Sequence, residues 1–169
     1  MRLKYLFIPM IAVFLLFAFV KADKDYYRTA NQDVYSEKVV KEVVQTFFEG
    51  FHTQDSILIK KVVHPDVMMQ SIGKGELGEV QLSKQDFSGF LKSICSIPAS
   101  TTFEERIDSY EIKMDGKMAN VWTPYSFYIN GSLSHCGTNS FQLFKRNGVW
   151  KIFYIVDTRD REGCGEKRG

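Results

Sequence analysis

Four stretches of this chain, read in alternation, bring acids, bases and hydroxyls to one side of a sheet. Arg106, Asp108 and Tyr110 lie in one stretch, Thr123 and Tyr125 in the next, Cys136 and Thr138 in a third, and Asp157 and Arg159 in the last. A small polar or anionic group is what such a row recognises. The guanidinium of Arg159 offers a planar fork of donors for an anion, Asp157 a base or an orienting acceptor, and Tyr125 a hydroxyl donor. The same residues also support a structural reading. Asp157 then pairs with Arg106 or Arg159 at the sheet end, and Tyr125 caps the core with its hydroxyl in water.

Other combinations fail on geometry. His135 and Cys136 are adjacent, and neighbouring strand residues point to opposite faces, so they do not converge on one atom. Cys136 fits better as a small buried apolar residue. His52, His64 and His135 are scattered without ligand spacing, so no metal is indicated. No Gly-rich phosphate cradle occurs, so no cofactor is expected.

The elements that must position the row are marked by turns. Asp115-Gly116, Asn130-Gly131 and Asn147-Gly148 each separate runs rich in aromatic and β-branched residues, which predicts two-residue hairpins and a four-stranded antiparallel meander. Regular hairpins pair Ile129 with Ser132 and Arg146 with Val149. Tyr125, Cys136, Arg159 and Arg106 then form one row, and Asp108, Thr123, Thr138 and Asp157 the next. Tyr110, Val121 and Ile155 lie deeper, followed by Ile112, Ala119 and Phe153. The opposite face carries Met118, Leu143, Ile152, Phe141, Tyr154, Trp122 and Val156. Apolar residues on both faces imply that both are covered, one by helices and one by a second copy of the chain, which predicts a homodimer. A single bulge would exchange the faces beyond it.

Helical spacing precedes the meander. Val40, Val43, Val44, Phe47, Phe48 and Phe51 make one apolar face of a helix starting near Ser36, with Gly50 at its end. A short helix follows from an Asp55 cap, stopped by His64-Pro65, then a strand over Val67 to Ile72. After a bend at Gly73, Gly75 and Gly78, a third helix is expected from Ser83, with Asp86 in a capping-box-like position. Helices before a meander make an α+β domain with helices on one face of the sheet.

Residues 1–22 have the form of a signal peptide. Arg2 and Lys4 precede an apolar run from Tyr5 to Val20, and Ala22 is a plausible cut. A retained anchor is the other reading, although the run is shorter than the ~20 residues a membrane-spanning helix needs. The chain then divides into a polar lead-in (23–35), a domain (36–160) and a polar tail (161–169). Removing residues 1–22 turns the formal charge from +2 to −1, because Arg2, Lys4 and Lys21 leave with no acid. Interleaved charges near neutrality disfavour nucleic acid as a partner, and after cleavage nothing points to a membrane. Export suggests an oxidising compartment, secreted or periplasmic. Cys95, Cys136 and Cys164 make no disulfide framework, and a single Cys136–Cys164 bridge is conceivable.

Several segments resemble the NTF2-like superfamily, and within it the family called putative lumazine-binding. They are Phe48-Glu49-Gly50-Phe51, Val63-His64-Pro65-Asp66, Val121-Trp122-Thr123-Pro124-Tyr125, Ser134-His135-Cys136-Gly137, Gly148-Val149-Trp150-Lys151-Ile152 and Asp157-Thr158-Arg159. The resemblance implies a cone of three N-terminal helices on a curved mixed or antiparallel sheet, a pocket at its mouth, and often a dimer through the outer sheet face. Ketosteroid isomerases and scytalone dehydratases share the cone, but their catalytic motifs map onto no residues here. Asp66, Asp108 or Asp157 could supply a carboxylate, and His64 or His135 an imidazole. Three functions follow: a module binding a small, partly apolar ligand; a cone-type isomerase, dehydratase or hydrolase using Asp or His with Tyr; and an interaction domain filled by its own aromatic side chains.

Overall fold

The computed structural model describes residues 36–164. Residues 1–35, on which the expected signal peptide and lead-in fall, and residues 165–169 of the tail lie outside the described residues. Helix α1 (residues 36–52) buries Val40, Val44, Phe47 and Phe48 at three- and four-residue spacing and turns Glu42, Gln45 and Glu49 to solvent. Helix α2 (Ser56–Val62) starts where the Asp55 carboxylate accepts the Ile57 and Leu58 N–H groups at 2.8 and 3.0 Å. Helix α3 (Phe87–Cys95) starts later than the pattern from Ser83 predicts. Its cap is Asp86, which accepts the Gly89 N–H at 2.8 Å. At its other end the Gln54 amide donates to the Ile94 and Ile97 carbonyls, acceptors a helix terminus leaves open.

Among the described residues seven strands follow or interleave: β1 (Val63–Lys74), β2 (Val80–Gln85), β3 (Phe103–Ile107), β4 (Glu111–Asp115), β5 (Met118–Ile129), β6 (Ser132–Arg146) and β7 (Val149–Thr158). Ser83 belongs to β2 because β1 is available to pair with it, Ser71 opposite Ser83, and a partnered edge outweighs local helix signals. The sheet order is β2-β1-β7-β6-β5-β3, with β4 also on β5. Among the described residues only β1 and β7 pair in parallel, so the sheet is mixed. One face packs Ala119, Val121, Phe141, Leu143, Ile152 and Ile155 against α1 and α3 in a single core. Among the described residues no helix is long and apolar enough to cross a membrane.

Two of the three turns form as expected, with positive φ at both Asn130 and Gly131 and at both Asn147 and Gly148. The third shifts by one residue. Asp115 pairs with Met118, leaving Gly116 and Lys117 as the loop with positive φ at Gly116 alone, the pattern of a type II′ turn.

Three one-residue irregularities decide which side chains face inward. Between β3 and β4 the pairing with β5 gains a residue, since Ile107 faces Tyr125 while Ile112 faces Val121. Between β5 and β6 Ser134 is unopposed, and between β6 and β7 Phe153 is. Each flips the alternation beyond it. Tyr125 therefore pairs with Gly137 rather than Cys136, and Thr123 with Asn139 rather than Thr138. Phe141, Leu143 and Ile152, expected on the face opposite Tyr125 and Asp157, join the core on the same side as those residues. The irregularities beside β6 cancel for Asp157 and Ile155, which share the face of Tyr125, Thr123 and Val121, and that face points inward.

Beyond β7 the chain is strapped to β6. Cys136 and Asp160 exchange two backbone hydrogen bonds of 2.9 Å, and Cys136 is bridged to Cys164.

Candidate functional site

Between α1, α3 and the inner sheet face lies a cavity of about 320 Å³. Phe47, Phe51, Phe90, Phe103, Phe127 and Phe141 wall most of it. The aromatic walls brace one another, with Phe51 edge-on to Phe103 at 5.1 Å between ring centres and Phe47 edge-on to Phe141 at 5.5 Å.

Polar groups gather where β1, β3, β5, β6 and β7 meet the cavity. Asp157, buried, is the hub. Its Oδ1 accepts from the Ser71 hydroxyl, and its Oδ2 lies 2.6 Å from Arg159 Nε and 3.3 Å from the Tyr125 hydroxyl. That hydroxyl also lies 3.0 Å from the Thr158 carbonyl, so its one proton has two acceptors. Burial, reinforced by the negative charges of Asp157 and Glu105, raises the Tyr125 pKa, so its hydroxyl stays protonated.

Glu105 is the second acid. Its Oε1 accepts from Asn139 Nδ2 at 2.7 Å, and its backbone N–H donates to His52 Nε2 at 2.9 Å. Burial pushes its carboxyl up to about 7; the Asn139 bond pulls the other way and the Asp157 charge adds to the rise. A carboxyl with such a pKa is present in both its protonated and its ionised form near neutral pH. Burial lowers the pKa of His52, and burial together with the Arg159 charge lowers that of His135, which lines the same end.

The structure thus brings together Tyr125, Asp157 and Arg159. Thr123 shares their face but is sealed within the wall, and Tyr110 lies against the core beneath the Lys41 ammonium, 4.8 Å from its ring centre. Arg106 and Asp108 face away. Arg106 pairs with Glu104 at 2.8 Å and lies over the Tyr128 ring, while Asp108 is exposed where the chain passes from β3 to β4. The extra residue there gives the inward place to Glu105 instead. Cys136 is held in the disulfide. Glu105, Asn139, Ser71 and His52 were not legible here, because strict alternation points the first two away and nothing local links Ser71 to Asp157 or His52 to the Glu105 backbone.

Thr123 Oγ1 has no hydrogen-bond partner among the described residues although its side chain is fully buried. Replacing such a hydroxyl by a methyl group removes a desolvation cost. Thr123→Val is expected to raise stability by about 1 kcal/mol in urea unfolding, and a loss of that size would show the hydroxyl to be satisfied in solution.

The family profile described as putative lumazine-binding matches residues 35–154. The chain belongs to the putative lumazine-binding family. Solved structures agree in fold. An NTF2-like protein from Shewanella baltica has a TM-score of 0.56 at 16% identity over 75% of this chain and 95% of its own. A protein described as a putative dehydratase of the NTF2-like family, from Streptomyces avermitilis, has a TM-score of 0.58 at 14% identity over 76% and 98%. An NTF2-like protein from Pseudomonas putida has a TM-score of 0.60 at 8% identity over 76% and 91%. At such identities the likeness concerns the α+β cone alone. No curated protein matches the sequence.

Proposed function

We propose that this domain of the putative lumazine-binding family takes a small, partly apolar molecule into the cone, its body against the phenylalanines and its polar group toward Asp157, Arg159, Tyr125 and Glu105. The supporting observation is the segregation of the cavity, apolar along its walls and polar at one end, with a volume at the lower edge of the ~300–1,000 Å³ common to ligand sites. A cone filled by its own side chains is disfavoured, since the aromatic residues line this space rather than occupy it.

A second reading, a cone-type isomerase, dehydratase or hydrolase, is favoured by one observation: two carboxyls in different environments at the same end. Asp157 is held by three donors, while Glu105 sits near neutrality and is suited to moving a proton on a substrate carbon or hydroxyl, with Tyr125 donating to an oxygen.

The reading includes export and a homodimer. The form of residues 1–22 and the Cys136–Cys164 bridge both suit an oxidising compartment. For the dimer, Trp122 and Met118 remain 45% and 52% exposed on the outer sheet face. Native mass spectrometry of protein purified from its own host tests these together. A dimer carrying a defined extra mass is expected, and an empty monomer would count against both parts.

Arg159→Ala is expected to weaken ligand binding about tenfold and to change stability by no more than about 1 kcal/mol, because the guanidinium is half exposed. Asp157→Asn removes the charge that three donors share in a buried place and should cost about 2 kcal/mol. Equal stability losses in the two variants would assign both residues to a structural ion pair.

A further inference from the structure

The cavity does not end at Asp157. It opens past Ser71, Gln85, His135 and Arg159 into a broad polar groove between the β1–β2 hairpin and the strap after β7, and these four residues line both spaces. Any molecule that fills the apolar part and reaches outward passes Arg159.

Counting donors and acceptors at this junction shows what is left to recognise. Asp157 is taken by Ser71, Tyr125 and Arg159. Arg159 itself spends only Nε. Among the described residues neither of its Nη nitrogens has a hydrogen-bond partner, so the planar edge with the most donors is unclaimed at the passage between the two spaces. A pair of guanidinium N–H groups matches a carboxylate in two parallel bonds, a fit that a neutral carbonyl does not reproduce. The groove as a whole is not a positive field, since Glu76, Asp160 and Glu162 share it with Lys74, Lys84 and Arg161, and Glu162 lies 3.4 Å from Lys74. Position at Arg159 therefore selects the anion.

We infer that the ligand is an amphipathic organic anion of the carboxylate class, its apolar body in the phenylalanine-walled cavity and its carboxylate on the Nη edge of Arg159. This rests on the reading of the cavity as a ligand site and adds the chemical class. A ring system or short branched chain fits the apolar volume, and the groove leaves room for a polar extension beyond the carboxylate.

The test uses two probes of nearly one shape, 2-naphthoate and 2-naphthamide, titrated calorimetrically into the purified protein at pH 6, where the Glu105 carboxyl is mostly protonated. Naphthoate is expected to bind at least tenfold more tightly than the amide. Arg159→Gln should bring the two within about twofold of each other, and Arg159→Lys should keep part of the preference. Circular dichroism and thermal unfolding establish that each variant is folded; should Arg159→Gln fail to fold, the wild-type preference and its reduction in Arg159→Lys decide. Equal binding of the two probes to the wild type, or a preference that survives Arg159→Gln, overturns the anion assignment and leaves the cavity reading intact. Failure of both probes to bind the wild type overturns the cavity reading and the assignment together.

Discussion

Gly137→Ala is expected to destabilise the domain by about 3–5 kcal/mol, above the usual cost of overpacking because the obstacle is backbone. A Cβ at this position would stand 1.8 Å from the Thr158 carbonyl oxygen, 2.8 Å from its carbon and 2.9 Å from Tyr125 Cε1. Thr158 has little freedom to retreat. Its hydroxyl accepts the Thr138 N–H at 3.0 Å, its carbonyl accepts from Tyr125, the next residue's N–H bonds the Ile72 carbonyl at 2.8 Å, and Asp160 is tied twice to Cys136. Accommodating the methyl group means moving the strap, and with it the Arg159 guanidinium and the Asp157 hub. Denaturant unfolding reads the stability loss, and ligand binding should fall with it. A change below about 1 kcal/mol would mean that the strap yields more easily than these bonds imply.

This glycine also shows where sequence reading stops. Asn130-Gly131 and Asn147-Gly148 announce their turns because the required φ values have local chemical signatures. Gly137 has no such signature; its need is a close approach by a strand about twenty residues away. That Tyr125, Thr123, Val121, Asp157 and Ile155 share one face was legible because β5 alternates without interruption and the two irregularities beside β6 offset each other, but which face turns inward was not. Glu105 and Asn139 were hidden by the same irregularities, since an extra residue between β3 and β4 and the unopposed Ser134 each exchange an expected neighbour for its sequence partner. Ser71 and His52 join the site through a parallel strand pair and a helix end, contacts that alternation within a meander does not describe. The outer face loses Phe141, Leu143 and Ile152 to the core by the same flips, so the sequence-level case for a second subunit now rests on fewer residues, chiefly Trp122 and Met118.

Stability of the wild type relative to Glu105→Gln is expected to fall by roughly 3 kcal/mol between pH 4 and pH 8, the linkage expected for a carboxyl whose pKa rises by this much on folding. The sign follows from the raised pKa of Glu105. In the folded chain its pKa is about 7 against an ordinary 4.5, so below about 4.5 both states hold the proton and the carboxyl adds no pH dependence. As pH rises from there the unfolded chain releases its proton while the folded chain keeps it. Stability drains away at up to ~1.4 kcal/mol per pH unit until the folded carboxyl ionises near neutrality, then levels off. Glutamine keeps a carbonyl for Asn139 to donate to but has no proton to release. His52 and His135, whose pKa values are lowered, act in the opposite direction by costing stability as pH falls below their ordinary range, and the comparison cancels them because both chains contain them. A difference that stays flat across this range would mean that Glu105 ionises in the fold as it does in water. The cavity end would then be wetted, and the carboxyl would lose the neutral-pH poise on which the acid–base reading depends.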